Sequence, residues 1–250
     1  MHLNKQTYNL FVFEGEKTEP QIFNSLRKYF LNEKENEQIS ISYCNNIYHL
    51  AKKIHKNEYL EFFELLKEEG KIDDALNRDN IARIYLIFDY DGYANKQSSQ
   101  KLQEMLTLFD NETEQGLLYI SYPMGEALKH IKDSVNFRDT CAISEGKYKN
   151  LVSLNCDEIY KHPINYTKDI WKTLIIQHSK KANFIVNSKF EFPTDFIEQL
   201  TIFEHQKEKY IDQEEKVAVL SAFPLMLLDY YGFEKFSLLP STKQLPYSTT

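Results

Sequence analysis

Four acidic residues lie just beyond predicted β-strands, and their types and spacing favour chemistry more than any other set in this 250-residue sequence. Glu14 follows the first predicted strand, Asp89 and Asp91 follow the most apolar one, and Glu126 comes shortly after a further strand, at the start of a helix. In an open parallel sheet, residues beyond the carboxyl ends of the strands converge on one crevice. We therefore expect these four carboxyl groups to meet in space.

Carboxylates that are crowded together repel one another unless a positive charge compensates them. A hard divalent cation with oxygen ligands is the simplest compensation, and Mg²⁺ is typically bound by a few carboxylates together with waters and substrate phosphates. Zinc would favour His or Cys ligands, which this set lacks. Asp89 and Asp91 are two residues apart, so in an extended backbone they point to the same face and could hold the ion together.

Such an ion would withdraw charge from a phosphate oxygen and lower the pKa of a bound water, either alone or as one of two ions ~3.5–4 Å apart. Glu14 could then be a further ligand or the general base. Glu126 either completes this set of acids or is a helix-opening residue that faces the positive end of the helix dipole. Lys17, in the turn after the first strand, either contacts the phosphate or is a surface lysine.

The elements that must position these residues alternate between strands and helices. Runs of β-branched, aromatic and aliphatic residues predict buried strands at 7–13, 39–43, 81–88 and Gly116–Ser121. Apolar residues at helical spacing predict helices between them, which include one with Thr18 as its N-cap and Gln21 completing a capping box, one over 47–69 and one over 125–131. Strands separated by helices predict an α/β fold with a parallel sheet and right-handed crossovers.

The sequence changes character beyond about residue 134. Helical spacing predicts helices at 153–161, 168–186, 194–210 and 214–231, and no segment there resembles a buried strand. We therefore interpret the chain as an α/β catalytic core over residues 1–133, a helical region over 134–235 and an irregular tail over 236–250.

Composition and charge exclude several classes of protein. The chain has 30 Lys and Arg against 37 Asp and Glu, a formal net charge of −7, which argues against broad coating of nucleic acid but leaves a local phosphate site open. No apolar run is long enough to cross a membrane, and the N-terminus lacks the pattern of a signal peptide. The three cysteines form no C-x-x-C pair. We expect a cytoplasmic protein with free thiols and no membrane association.

Three stretches together resemble a known family. The residues F-V-F-E-G-E-K-T-E-P at 11–20, I-Y-L-I-F-D-Y-D-G at 84–92 and S-Y-P-M-G-E at 121–126 look like the TOPRIM domain. More narrowly, they resemble the compact TOPRIM nucleases of bacterial anti-phage and abortive-infection systems, the RloB-like and OLD-type group. Glu14-Gly15 is similar to the family's acidic-residue-plus-glycine motif, and Asp89-x-Asp91 is similar to its DxD motif. The match covers the α/β core, and the helical half matches nothing.

The resemblance implies a fold, a cofactor and an activity. The fold is a four-stranded parallel sheet between helices, and the cofactor is Mg²⁺ or Mn²⁺ at Glu14, Asp89 and Asp91. The activity is hydrolysis of phosphodiester bonds in a nucleic acid, DNA or RNA, by the effector of a phage-defence system. The resemblance also implies a partner ATPase, encoded alongside, that holds the nuclease inactive until it is triggered.

Two other interpretations stay open. The string Y-L-I-F-D-Y-D-G also resembles the first motif of haloacid-dehalogenase-type phosphatases, in which Asp89 would be the nucleophile and Asp91 the acid or base. That motif normally lies on the first strand, Tyr93 stands where the family carries Thr or Val, and Glu14 has no role in it. The second alternative is a non-catalytic, TOPRIM-like interaction module.

The helical half is denser in lysine than the chain average. These lysines could form a basic strip for a nucleic-acid backbone, or they could belong to ordinary solvated helix faces. They are Lys147, Lys149, Lys168, Lys172, Lys180 and Lys181.

Overall fold

A five-stranded, mostly parallel β-sheet lies at the centre of this chain. The computed structural model describes residues 6–31, 36–57, 61–90, 96–143, 147–233 and 236. The strands of the sheet are β1 (Tyr8–Phe13), β2 (Glu37–Ser42), β3 (Ile81–Asp89), β4 (Asp110–Asn111) and β5 (Gly116–Ser121). Their spatial order is β2-β1-β3-β5-β4. The prediction of an α/β fold is confirmed.

The register aligns the strand ends at one edge of the sheet. Strands β1, β2, β3 and β5 are parallel, whereas the two-residue β4 runs antiparallel to β5 and was not predicted. Phe13 is opposite Ile87, and Asp89 is opposite Ser121. Strands β1, β3 and β5 are apolar along nearly their whole length because both faces of the sheet are covered.

The helices connect the strands and cover the sheet. They are α1 (Thr18–Phe30), α2 (Ile47–Lys56), α3 (Phe62–Glu68), α4 (Lys96–Leu108), α5 (Tyr148–Asn155), α6 (Lys168–Asn187), α7 (Gln199–Gln206), the single-turn α8 (Asp212–Glu214) and α9 (Ala222–Tyr231). Helices α1 and α9 share one face of the sheet. There Phe23 of α1 packs on Phe11 and Phe13, while Phe223 of α9 lies 5.9 Å from the ring of Phe13.

Three local predictions for the core need correction. Thr18 is already the first helical residue, and Lys17 occupies the N-cap position without a side-chain hydrogen bond, so the predicted capping box is wrong. The predicted helix over 47–69 is two helices, because the backbone of Asn57 leaves the helical conformation after α2. The predicted helix over 125–131 is the 3₁₀ helix Gly125–Lys129.

The second half of the chain contains a small sheet that was not predicted. Strands β6 (Cys141–Ile143) and β7 (Lys216–Ala218) pair in antiparallel fashion. β7 lies inside the stretch predicted as a helix over 214–231, and that prediction fails because Glu215 adopts a left-handed conformation that ends α8. The side chain of Gln206 then bonds both the N–H and the C=O of Ala218, which satisfies the free edge of β7.

The helical region packs into the same core as the α/β region. The indole N–H of Trp171 in α6 donates to Ser25 Oγ of α1 at 3.1 Å. Tyr122, directly after β5, exchanges backbone hydrogen bonds of 2.7 and 2.9 Å with Leu220. Of the predicted irregular tail, only Phe236 is among the described residues. Within the described ranges, no helix has both the length and the apolar character needed to cross a bilayer.

Two of the six lysines assigned to a possible basic strip are buried. Lys172 is nearly inaccessible, and Lys181 is completely so. The ammonium group of Lys181 donates to the backbone oxygens of Phe137, Arg138 and Thr140, and its burial lowers the pKa of the amine to about 8. A group held in this way stabilises the loop before β6 and cannot contact a phosphate backbone, so the strip prediction is wrong for these two residues.

Candidate functional site

The structure brings Glu14 and Asp89 together at the carboxyl edge of the sheet. Glu14 is the first residue after β1, and its N–H donates to the carbonyl oxygen of Ile87 in β3 at 3.1 Å. Its carboxylate oxygen Oε2 accepts a hydrogen bond of 3.0 Å from the backbone N–H of Asp89, the last residue of β3. The two residues are 75 positions apart in sequence and adjacent in space.

Backbone hydrogen bonds hold this edge in place beyond the strands themselves. The carbonyl oxygen of Glu14 accepts from the N–H of Cys44, the second residue after β2, at 2.9 Å. The N–H of Tyr90 donates to the carbonyl oxygen of Ser121 at 3.0 Å. Four strand ends are therefore tied to one another around Glu14 and Asp89, which gives the acidic side chains a rigid base.

Asp91, the second acid of the D-x-D pair, lies outside the described residues, which stop at 90 and resume at 96. Its role as a metal ligand stays a prediction. Lys17 is described and exposed at the N-cap of α1, and in the described part of the chain its side chain makes no hydrogen bond or ion pair. Its contact with a phosphate also stays a prediction.

Glu19 is a buried acid that the sequence reasoning missed. It lies in the first turn of α1, and only 7% of its surface is exposed. A β-carbon placed on Gly15 would lie 2.7 Å from Oε2 of Glu19, and one placed on Gly125 would lie 3.1 Å from Oε1. The carboxyl group is therefore inserted between two glycines, one after β1 and one after β5, and no larger residue fits at Gly15 unless Glu19 moves.

Glu126 lies close enough to Glu19 to affect its ionisation. Burial raises the pKa of the Glu19 carboxyl, its own backbone N–H lowers it, and the negative charge of Glu126 raises it further. The positive charges of Lys149 and Lys129 act in the opposite direction. Glu126 itself is 8% exposed, and its Oε1 lies 3.5 Å from the ammonium nitrogen of Lys149. The structure therefore places a second acidic pair, Glu19 and Glu126, beside Gly15 and two lysines.

A buried hydrogen bond supports the helix that carries Lys149. Nδ1 of His130 lies 3.0 Å from the hydroxyl oxygen of Tyr148, and both side chains are buried. Burial is the main cause that lowers the pKa of His130, which favours the neutral imidazole. Tyr148 is the first residue of α5 and precedes Lys149, so this contact fixes the start of the helix next to Glu126.

Sequence patterns contain only a weak signal for these additional residues. A glutamate in the first turn of a helix is usually explained by the helix dipole, and Glu19 was seen only as part of a helix start. The available signal was its position in the sequence, shortly after Glu14 and Gly15 and before the Asp89-x-Asp91 pair. Lys149 was noticed within the dense lysines, and its 64% exposed side chain projects from α5 toward Glu126.

The donor set at the carboxyl edge consists of oxygen atoms. Within the described residues, no group of three or more His, Cys, Asp or Glu side chains has the geometry of a metal site, but Asp91 is outside them. Carboxylates at Glu14 and Asp89 offer the oxygen ligands that a hard cation such as Mg²⁺ or Mn²⁺ prefers, whereas zinc favours nitrogen and sulfur ligands.

Comparison with known proteins finds no relative of this chain. The chain matches no protein-family model, no curated protein and no solved structure.

Proposed function

We propose that this protein is an Mg²⁺- or Mn²⁺-dependent nuclease of the TOPRIM type that hydrolyses phosphodiester bonds in DNA or RNA. The observation that carries the proposal is the bond between the Glu14 carboxylate and the backbone N–H of Asp89 at the carboxyl edge of a parallel sheet. This is the crevice in which open α/β sheets place their ligands.

Glu14, Asp89 and Asp91 are the residues that would hold the cation. When bound, the cation offsets charge on a phosphate oxygen and lowers the pKa of a water molecule. The backbone N–H of Asp89 donates to Oε2 of Glu14 and so fixes the orientation of this carboxylate at the end of β3. The rigid strand ends keep these oxygens in place while a substrate binds.

Glu19 and Lys149 supply chemistry that complements this acidic group. Because burial raises its pKa, Glu19 can hold a proton nearer to neutral pH than an exposed glutamate, which suits transfer of a proton to a leaving oxygen. Lys149 is exposed and its charge is only partly balanced by Glu126 at 3.5 Å, so it is available to a phosphate. In this proposal Lys149 and Lys129, the two lysines near Glu19, attract the nucleic acid locally, although the chain carries a net charge of −7.

Cleavage assays with conservative variants test the proposal. We expect the wild type to cleave at least one of supercoiled plasmid, single-stranded DNA, tRNA or total RNA in Mn²⁺ or Mg²⁺. Glu14→Gln and Asp89→Asn should lose roughly 10²–10⁴-fold in rate, because each removes a charge from the reacting centre. Glu16→Gln is the matched control, since Glu16 is an exposed acid in the same turn. Equal cleavage by all four proteins would reject the site.

The same variants distinguish the alternative activities. Hydrolysis of p-nitrophenyl phosphate that survives Glu14→Gln but not Asp89→Asn would favour a haloacid-dehalogenase-type phosphatase. A non-catalytic interaction module predicts no hydrolysis of any substrate. We further propose that the nuclease is the effector of a phage-defence system with an ATPase partner, so the assays include cells that express the chain together with its neighbouring genes.

A further inference from the structure

A cleft opens on the sheet at a distance from the acidic edge. Its volume is about 300 Å³, at the lower end of small-molecule sites. Tyr85, one of its lining residues, is four positions before Asp89 in β3, a separation of roughly 13 Å along an extended strand. The side chains that give the cleft its chemistry are Tyr85, Asp110, Glu112, Phe196, Asp229 and Phe233.

The wall combines carboxyl groups with aromatic rings. Asp110 and Glu112 lie around β4, and Asp229 comes from α9 on the opposite side. The ring of Phe196 is at the rim, with 44% of the residue exposed, and Phe233 lies beyond the end of α9. Carboxylates beside aromatic faces form a surface for cations, because both attract positive charge and the rings also shield a carbon chain from water.

Asp229 is held in a fixed orientation without a positive partner. Its Oδ2 accepts a 2.7 Å hydrogen bond from the hydroxyl of Tyr119, a residue with no exposed surface. In the described part of the chain, no lysine, arginine or histidine lies within ion-pair distance of Asp229. Arg83 lies beside the cleft: its guanidinium is over the ring of Tyr230, 5.9 Å from the centroid, and its charge also interacts with Tyr85 and Glu112.

A buried hydroxyl without a hydrogen-bond partner lines a small pocket that Asp229 also lines. A second pocket of about 10 Å³, roughly the space that one water occupies, shares Asp229 and Phe233 with the cleft. Ser179 lines this pocket with 1% of its surface exposed, and its Oγ has no hydrogen-bond partner among the described residues. Buried polar atoms almost always have a partner, so this hydroxyl points to a polar group that enters beside Asp229.

We propose that the cleft binds a small aliphatic amine in its cationic form. The ammonium group pairs with the Asp229 carboxylate, which releases its proton to solvent on binding, with Ser179 reached directly or through one water, and the carbon chain lies against Phe196 and Phe233. Asp110 takes a second ammonium group when the ligand is a diamine, because Glu112 already interacts with the charge of Arg83. The site is separate from the proposed nuclease site and does not depend on that function.

Calorimetric titration with putrescine tests this inference on the full chain. In about 150 mM salt, which screens exposed charges, we expect saturable one-to-one binding by the wild type. Asp229→Asn keeps the size of the side chain and an acceptor for Tyr119 but cannot ionise to pair with the ammonium group, so affinity should fall at least about tenfold. Glu64→Gln removes one exposed charge on α3 and should bind as the wild type does. The neutral analogue 1,4-butanediol should not bind.

Several results would overturn the inference. They are absence of saturable putrescine binding by the wild type, equal affinity of Asp229→Asn and wild type, and equal binding of putrescine and butanediol. If Asp229→Asn does not fold, as judged by circular dichroism, Phe196→Ala at the exposed rim and Asp110→Asn take its place. Each should weaken putrescine binding about threefold or more, and unchanged affinity in both would count against the site.

Discussion

The two ends of the central sheet both gather carboxyl groups, but they surround them differently. At the carboxyl edge, Glu19 is inserted between the backbones of Gly15 and Gly125, with lysines nearby. At the cleft, Asp229 lies between a tyrosine hydroxyl and phenylalanine rings, with no described cation paired to it.

This difference indicates what each end can bind. Glycines and lysines next to acids make a polar crevice in which a phosphate and a cation can both be accommodated. Aromatic rings next to acids favour an organic cation, because they attract charge and bury hydrocarbon in the same place. The neighbouring residues therefore give similar carboxyl groups different ligand preferences: a phosphate with a cation at the carboxyl edge, and an organic cation at the cleft.

The independence of the two sites is tested most directly by measuring both activities in a variant of each site. Glu14→Gln should abolish cleavage, a loss of roughly 10²–10⁴-fold, and leave putrescine affinity unchanged. Asp229→Asn should do the reverse, because Tyr85 of the cleft lies four positions before Asp89 in the rigid strand β3. Nuclease rates and calorimetry on the same preparations measure both effects. If either variant impaired both activities while folding normally, the two sites would not be independent.

Substitution of a glycine tests whether close backbone approach defines the acidic edge. Gly15→Ala introduces an atom 2.7 Å from Glu19 Oε2, so the carboxyl must move and cleavage should fall about 10–100-fold. Gly70→Ala is the matched control: Gly70 has a φ of +64° and no atom within 4 Å of the added carbon. It should cost about 1 kcal/mol of stability through backbone strain, seen in urea unfolding, and leave cleavage intact.

Removal of one lysine tests the positive charge of the same edge. Lys149→Gln should raise KM for nucleic acid several-fold, and this effect should shrink at high salt because the interaction is electrostatic. Lys147→Gln removes another exposed charge two residues earlier and serves as the control. Indistinguishable salt dependence for the two variants would mean that Lys149 is an ordinary surface lysine.

The smallest expected effect is a pH dependence of stability at the cleft. Burial raises the pKa of Asp229 well above its ordinary value, and the charge of Glu112 adds to this, although the Tyr119 hydroxyl opposes it. The folded state therefore retains a proton that the unfolded chain releases, so stability decreases as pH rises above about 4. Asp229→Asn should gain stability relative to wild type between pH 4 and pH 7 in urea unfolding. A constant difference between the two proteins would contradict the raised pKa.

The parallel sheet could be predicted because its strands carry their own signal. β1, β3 and β5 are continuous apolar runs bounded by turns, and such runs are buried on both faces. Strands β6 and β7 have three residues each, and their pairing depends on segments about 75 residues apart, which local periodicity does not report.

The sequence did not reveal which of the polar residues are buried. Glu14 and Asp89 were found because they follow strands directly. Glu19, Lys181 and Asp229 lie in helices, where charged residues are usually exposed, and only tertiary packing turns them inward. The hydrogen-bond partners that make their burial tolerable are distant in sequence, such as Tyr119 for Asp229.

Helix α9 connects the two ends of the sheet. Phe223 at its start packs on Phe13, the residue before Glu14, and Asp229 near its end lines the cleft. Its ten residues span about 15 Å. A premature stop codon or a protease cut ahead of Ala222 would therefore remove α9 from both the acidic edge and the cleft. The part of the gene that encodes α9 cannot be exchanged without affecting both sites.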